Sequence, residues 1–395
     1  MSMMTNSPFI YLDNSATTPL SPAAKETMVA AMDCFGNPSS LHKAGQEAEA
    51  LREHAREEIL RGLGLRPRQK DGILVFTSCG TEATSLALFG TAHAKERREA
   101  ERILTTDSEH PSVARAMEQL EKEGFEVIRI PTKAGVPDMD VLQASLDKKI
   151  FLASFMLVNN ETGAIYPVGK MFRMVKQTYP DAITHCDAVQ GFMKTPFTPA
   201  TLGADLITLS AHKLHAPKGV GALYVASHLI KAKKIVPFLL GGGQEGGFRS
   251  GTENTVGIAA FGASVADLRA RSEARHAHVS ELYAYAEELL TRLPIRINQP
   301  KGEFLPYILN VTLPSIKSET MLHALSADGI YVSSGSACSS HSAHPSDSLL
   351  AFGLSPEEAD CSLRISFSDG NTKEELDALY ASLEKNLQRL VRIRR

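Results

Sequence analysis

Short apolar runs alternate with amphipathic stretches through most of this chain, and that alternation admits few folds. Residues 73–76, 102–105, 125–130, 151–158, 182–185, 206–209 and 222–225 are rich in Ile, Leu, Val and Phe and read as strands. Helical patterns lie between most of them, over 81–99, 111–123, 138–146 and 168–178. Asp138 stands where an N-cap belongs, and Pro111 where a first-turn proline belongs. Strands that alternate with helices build a mostly parallel sheet covered on both faces, so an α/β fold is expected. Ligands of such sheets sit beyond the carboxyl ends of the strands.

The texture changes near residue 254. A helical stretch over 254–293 leads to a strand at 307–313, a helix at 318–328, a short strand at 330–332, a strand at 363–367 and a helix at 372–391. That order describes a smaller α+β unit, and a chain of 395 residues exceeds what one core usually supports. The stretch 66–72 reads as an exposed turn, not a linker between domains. A net charge of −3 argues against a nucleic-acid surface, since the sole basic block is Arg392, Arg394 and Arg395. The first eight residues lack the charged and apolar regions of a signal peptide, and no apolar stretch approaches the roughly 18 residues that span a bilayer. Cys34, Cys79, Cys186, Cys338 and Cys361 are odd in number and scattered, which suits a reducing cytoplasm and no membrane association.

Lys213 stands at the end of one apolar strand and Asp187 at the end of another. A lysine and an aspartate so placed are what pyridoxal 5′-phosphate chemistry needs. The amine forms a Schiff base with the cofactor aldehyde, and the carboxylate keeps the pyridine nitrogen protonated so that the ring acts as electron sink. A surface lysine and a strand-end aspartate would look the same in isolation. Residues 77–82 follow a strand and open a helix, which makes either a phosphate cradle or an ordinary cap. Five glycines over 241–247 cost backbone entropy, so a loop that approaches a ligand or second subunit is the better reading. Residues 333–345 are small and polar around the thiol of Cys338, a candidate nucleophile once deprotonated. Cys338, His341 and His344 have a zinc-like spacing, but no fourth ligand is evident and no metal is expected.

Taken in order, the segments 11–19, 36–42, 108–112, 158–163, the Asp187 and Lys213 motifs, 249–252, 334–338 and 363–367 resemble a cysteine desulfurase of the iron–sulfur-cluster type. That group lies within the class V aminotransferases, which are fold-type-I pyridoxal phosphate enzymes. The resemblance implies a large cofactor-binding domain over 17–262 and a small domain from 1–16 and 263–395 carrying the cysteine loop. It implies that Lys213 holds the cofactor and shuttles the α-proton, while His110 stacks on the ring and acts in acid–base steps. Asp187 then pairs with the ring nitrogen and Gln190 with the ring oxygen. Gly80, Thr81, Ser210 and His212 hold the phosphate, and Thr252 reaches the phosphate of the neighbouring subunit in a homodimer. Asn160 and Arg364 bind the substrate carboxylate, for which a guanidinium fork is suited. Cys338 takes the sulfur of L-cysteine, giving a persulfide and alanine, and passes it to an acceptor such as an iron–sulfur scaffold.

Two rivals stand beside that reading: a selenocysteine lyase with the same constellation, and a non-catalytic scaffold that keeps the fold. Two departures also stand out. Gly246 occupies a position where many members carry arginine, with consequences for a subunit or phosphate contact. His341 and His344 either depress the thiol pKa or are simply solvated.

Overall fold

The computed structural model describes residues 9–66, 71–94, 101–335 and 345–390. A short N-terminal strand, β1 (Ile10–Tyr11), stands apart from the main sheet. That sheet takes the next seven: β2 (Gly72–Thr77), β3 (Arg102–Thr106), β4 (Glu126–Ile130), β5 (Ile150–Met156), β6 (Ile183–Asp187), β7 (Leu206–Ser210) and β8 (Gly221–Ala226). Their spatial order is β2-β8-β7-β6-β5-β3-β4. Strands β4, β3, β5, β6 and β7 run parallel, and β8 runs antiparallel to both its neighbours. The expected mostly parallel α/β sheet is therefore present.

Period-two alternation explains why it is covered twice. Along β2, Leu74 and Phe76 enter one apolar cluster and Val75 the other. Along β7, Ile207 and Leu209 take the first and Leu206 the second. Successive side chains of a strand point to opposite faces, so runs that are apolar throughout need helices on both. The helices Gly80–Ala92 and Pro111–Lys122 contribute to the second cluster, and Lys43–Gly62 and Thr255–Ala270 to the first.

The remaining strands are β9 (Arg296–Ile297), β10 (Ile308–Thr312), β11 (Ile330–Tyr331) and β12 (Ser362–Ser366). β12, β10 and β9 form an antiparallel ladder, and β1 pairs in parallel with β11. Single bridges, Asp13 with Ser366 and Ser333 with Arg364, tie these two ladders together.

The expected helix over 254–293 is two helices, Thr255–Ala270 and Ser272–Leu290, separated at Arg271. The first packs on Pro22–Met32 and Lys43–Gly62, the second on Lys373–Arg389. The break lets each helix follow its own neighbours. Arg271 serves both sides, pairing with Asp267 at 2.6 Å and Asp369 at 2.6 Å. The helix expected over 81–99 ends at Ala92. No helix among the described residues is long and apolar enough to cross a membrane.

Candidate functional site

Beyond the carboxyl ends of β6 and β7 the expected residues converge. Asp187 is the last residue of β6. Lys213 is not at the end of β7, as the sequence led us to expect, but completes a 3-10 turn, Ala211–Lys213, that follows the strand. That turn aims its amine at the N-terminal segment, where Nζ donates to the carbonyls of Ser15 at 2.6 Å and Ala16 at 2.7 Å. Gln190 Nε2 donates to the same Ser15 carbonyl at 2.9 Å.

The groups in this hollow are buried and lie close to several cations. Burial pushes the Asp187 carboxyl up to about 6, although a bond from the Val189 N–H and the charge of Lys213 oppose the rise. Burial, helped by Lys213, pulls His110 down to about 4. His212 is drawn to about 4 by burial, then by Lys213, Lys218, Lys194 and His110. Both imidazoles are therefore neutral at neutral pH. His110 also caps the helix Pro111–Lys122, its Nδ1 accepting the Ser112 N–H at 3.1 Å, which sets the ring's orientation.

A phosphate end lies beside this hollow. The helix Gly80–Ala92 opens at Cys79, whose side chain makes no capping bond, so its first N–H groups are available to an anion. Gly80 stands against Ser210, and Thr81 is exposed. Gly221 makes this approach possible: a Cβ there would lie 2.4 Å from the Cys79 carbonyl carbon. His212 Nδ1 meets the Thr17 hydroxyl at 3.2 Å.

The opposite end is built for a carboxylate. Arg364 is fully buried on β12, its Nη1 donating to the Asn160 carbonyl at 3.0 Å and Nη2 to Asp13 at 2.8 Å. Its Nε and the Asn160 side-chain oxygen are buried without partners, and such atoms cost free energy unless something is bound there. An open helix N-terminus, a buried carboxylate, a lysine and these two unpartnered atoms together fit pyridoxal phosphate and an amino acid. Cys338, His341 and His344 lie outside the described residues. On either side of them in the sequence, Ser333 exchanges backbone bonds with Arg364 at 3.1 and 2.7 Å, and Ser346 donates to Glu161 at 2.7 Å.

Thr252 is exposed. Its loop is nonetheless fixed. Glu245 accepts from Arg56 at 2.8 and 2.9 Å and from the Phe76 N–H at 2.7 Å, and Arg249 pairs with Glu82 at 2.9 Å. Gly246 has a φ of +63°, a left-handed value that taxes an arginine more than a glycine.

Sequence reasoning missed three residues: Lys194, Glu245 and Glu109. Lys194 donates to Gln190 Oε1 at 3.2 Å. Glu109 Oε1 accepts from Thr106 at 2.6 Å and from the Met156 N–H at 3.0 Å, on the side where β3 no longer pairs with β5. Burial pushes its carboxyl up to about 8; those two bonds oppose the rise and Asp187 adds to it. Between its ordinary value of 4.5 and about 8 the folded chain keeps a proton that the unfolded chain has lost, so rising pH through this window destabilises the fold. Glu109→Gln should therefore raise the melting temperature of the cofactor-free chain by several degrees at neutral pH. Thermal melts across pH check this, because the gain must vanish as pH falls below the ordinary glutamate range.

Residues 10–379 match the family described as Aminotransferase class-V. The chain is 38% identical over 392 residues to a NifS/IcsS protein homolog of Lactobacillus delbrueckii subsp. bulgaricus, covering 97% of this chain and 98% of the other. It is 36% identical over 385 residues to a cysteine desulfurase IscS of Dictyoglomus turgidum, covering 96% and 95%. A solved NifS-like protein has a TM-score of 0.88 at 35% identity, over 97% of this chain and all of that one. The match takes in the main sheet, Lys213, Asp187 and the β12 arginine together, and the chain belongs to the aminotransferase class-V family.

Proposed function

We propose that the chain is a cysteine desulfurase that converts L-cysteine to L-alanine and leaves the sulfur on Cys338 as a persulfide. The observation that carries this reading is the span from Lys213 and buried Asp187 to the unsatisfied Arg364 Nε. It offers an amine, a ring-nitrogen partner and a carboxylate fork in one hollow. The named activity of the Dictyoglomus turgidum relative supports it.

Pyridoxal phosphate, when bound, supplies the electron sink that lets the substrate's α-proton leave. The chain supplies the rest. Gly80, Thr81, Ser210 and His212 would hold the phosphate, and Lys213 would hold the aldehyde and carry the α-proton. Asp187 keeps the ring nitrogen protonated, a cation that would return its own pKa toward the ordinary range. Neutral His110 would lie against the ring and exchange protons there. Arg364 and Asn160 grip the carboxylate. The Cys338 thiolate then attacks the substrate sulfur: a sulfur–sulfur bond forms, the carbon–sulfur bond breaks with its electron pair on carbon, and a proton added at that carbon leads to alanine. The persulfide would pass to an acceptor such as an iron–sulfur scaffold in the cytoplasm, feeding clusters, tRNA thiolation or both.

The same reading divides the chain into a large cofactor-binding part over 17–262 and a small part from 1–16 and 263–395, in line with its separate sheets. It also takes the active unit to be a homodimer that lends Thr252 to the neighbouring phosphate. Phe35 is 89% exposed, Leu41 92% and Leu240 81%, an apolar surface that a second copy would cover. The double variant Phe35→Asp, Leu41→Asp should sediment as a monomer and hold cofactor more weakly. A dimer with undiminished cofactor affinity would contradict this part.

The function is tested by incubating the cofactor-loaded protein with L-cysteine and a reducing thiol. Equal amounts of alanine and sulfide are expected. Turnover of L-selenocysteine alone would favour the lyase, and alanine from neither substrate would overturn the reading.

A further inference from the structure

Lys194 has no role in the chemistry above, yet its ammonium touches a residue that does. The chain after Asp187 turns tightly, with the N–H groups of Phe192 and Thr195 bonding to the carbonyls of Ala188 and Gly191. Residues four apart then share a side, and Lys194 Nζ reaches Gln190 Oε1 at 3.2 Å. An ammonium has three donors and no acceptor, so the amide atom that faces it must be the oxygen. The amide nitrogen is thereby turned the other way, where one N–H meets the Ser15 carbonyl at 2.9 Å.

That carbonyl also accepts from Lys213 Nζ at 2.6 Å. The amide nitrogen and the amine that would carry the cofactor thus converge on a single oxygen, leaving the second amide N–H for an acceptor beside Lys213. On pyridoxal phosphate the ring oxygen is ortho to the aldehyde carbon, so it is the acceptor nearest that amine. A flipped amide would set N–H groups against the ammonium and its oxygen against the Ser15 carbonyl, losing two bonds and gaining two repulsions.

We propose that Lys194 is a positioning residue that fixes the direction of the Gln190 amide, so that Gln190 donates to the cofactor's ring oxygen. This rests on the role given to Gln190 under the proposed function. Lys194 is itself half-buried, with its ammonium 5.8 Å from the centroid of the Tyr307 ring. Burial, then Lys213, Arg275 and Arg364, pull it down to about 7, and His276 and Glu303 line the same cavity. An anionic cofactor would favour its charged form.

The readout is the pH midpoint at which the visible band of the lysine-bound cofactor titrates. Negative charge on the ring oxygen stabilises the proton on the neighbouring nitrogen, and a donor to that oxygen weakens the hold. Lys194→Met and Gln190→Ala should each raise the midpoint by about one pH unit, and Lys194→Arg, which keeps the donors, should not. The double variant should shift no further than Gln190→Ala alone, because both changes remove one interaction. A Lys194→Met shift as large on the Gln190→Ala background as on the parent would mean that Lys194 acts by charge alone, and would overturn the inference while leaving the function intact. So would a midpoint unmoved by Lys194→Met when Gln190→Ala moves it. A midpoint unmoved by Gln190→Ala would remove that residue's role and the inference with it.

Discussion

Lys213→Ala should lose about three orders of magnitude or more in turnover, together with the visible band of a lysine-bound cofactor. The size follows from what the side chain does twice. It is the amine that the 3-10 turn after β7 sets in the hollow, held by the Ser15 and Ala16 carbonyls. On the proposed reading it is also the base that moves the α-proton, and no neighbour replaces it in both roles. His110 and His212 lie close enough to feel its charge, but neither imidazole forms a stable link to an aldehyde. Lys194 is a rival amine, but its ammonium is engaged by Gln190 Oε1. Borohydride reduction followed by peptide mapping checks the assignment. A pyridoxyl group found on Lys194 or Lys218 would refute it.

Cys338→Ala should cost roughly as much in alanine formation but leave the earlier steps intact. On the proposed reading cofactor and substrate meet at Lys213, Asp187 and Arg364, and none of these depends on the thiol. L-cysteine should therefore still change the absorption spectrum of the variant. Breaking the carbon–sulfur bond needs an acceptor for the sulfur, and a thiolate is the strong nucleophile the sequence places in a small, polar segment. Two of the remaining thiols are poorly suited. Burial holds Cys186 well above the ordinary thiol range, and it raises Cys361 as well. Stopped-flow spectra with quantified alanine separate the two stages. Alanine at the parental rate would sink the assignment.

Much of the fold is legible because burial on two faces leaves an unmistakable mark. Apolar runs such as 206–209 have no other use, and their alternation with capped helices leads to the parallel sheet and to the crevice beyond β6 and β7. Period reading fails where two elements join without a change of pattern. The helical signal runs through Arg271, and the break there comes from the separate packing of the two helices. It also fails for β1, which is two residues long and pairs with β11 across most of the chain.

The site divides in the same way. Asp187 and Lys213 stand out because a charged residue just after an apolar run needs a reason. Glu109 and Lys194 do not, since their meaning lies in the Met156 N–H and the Gln190 oxygen. In sequence, Glu109 is only the residue before His110, and Lys194 only one at helical spacing from Gln190. Glu245 is hidden among glycines, although it ties their loop to Phe76 in β2.

The central claim is that sulfur leaves L-cysteine through the hollow around Lys213 and arrives on Cys338. Mass spectrometry of the cofactor-loaded protein after one turnover, read at each of the five cysteines, tests it most directly. The account predicts one added sulfur on Cys338 and one alanine released for each. Added sulfur on Cys34, Cys79, Cys186 or Cys361, with Cys338 unmodified, would contradict it.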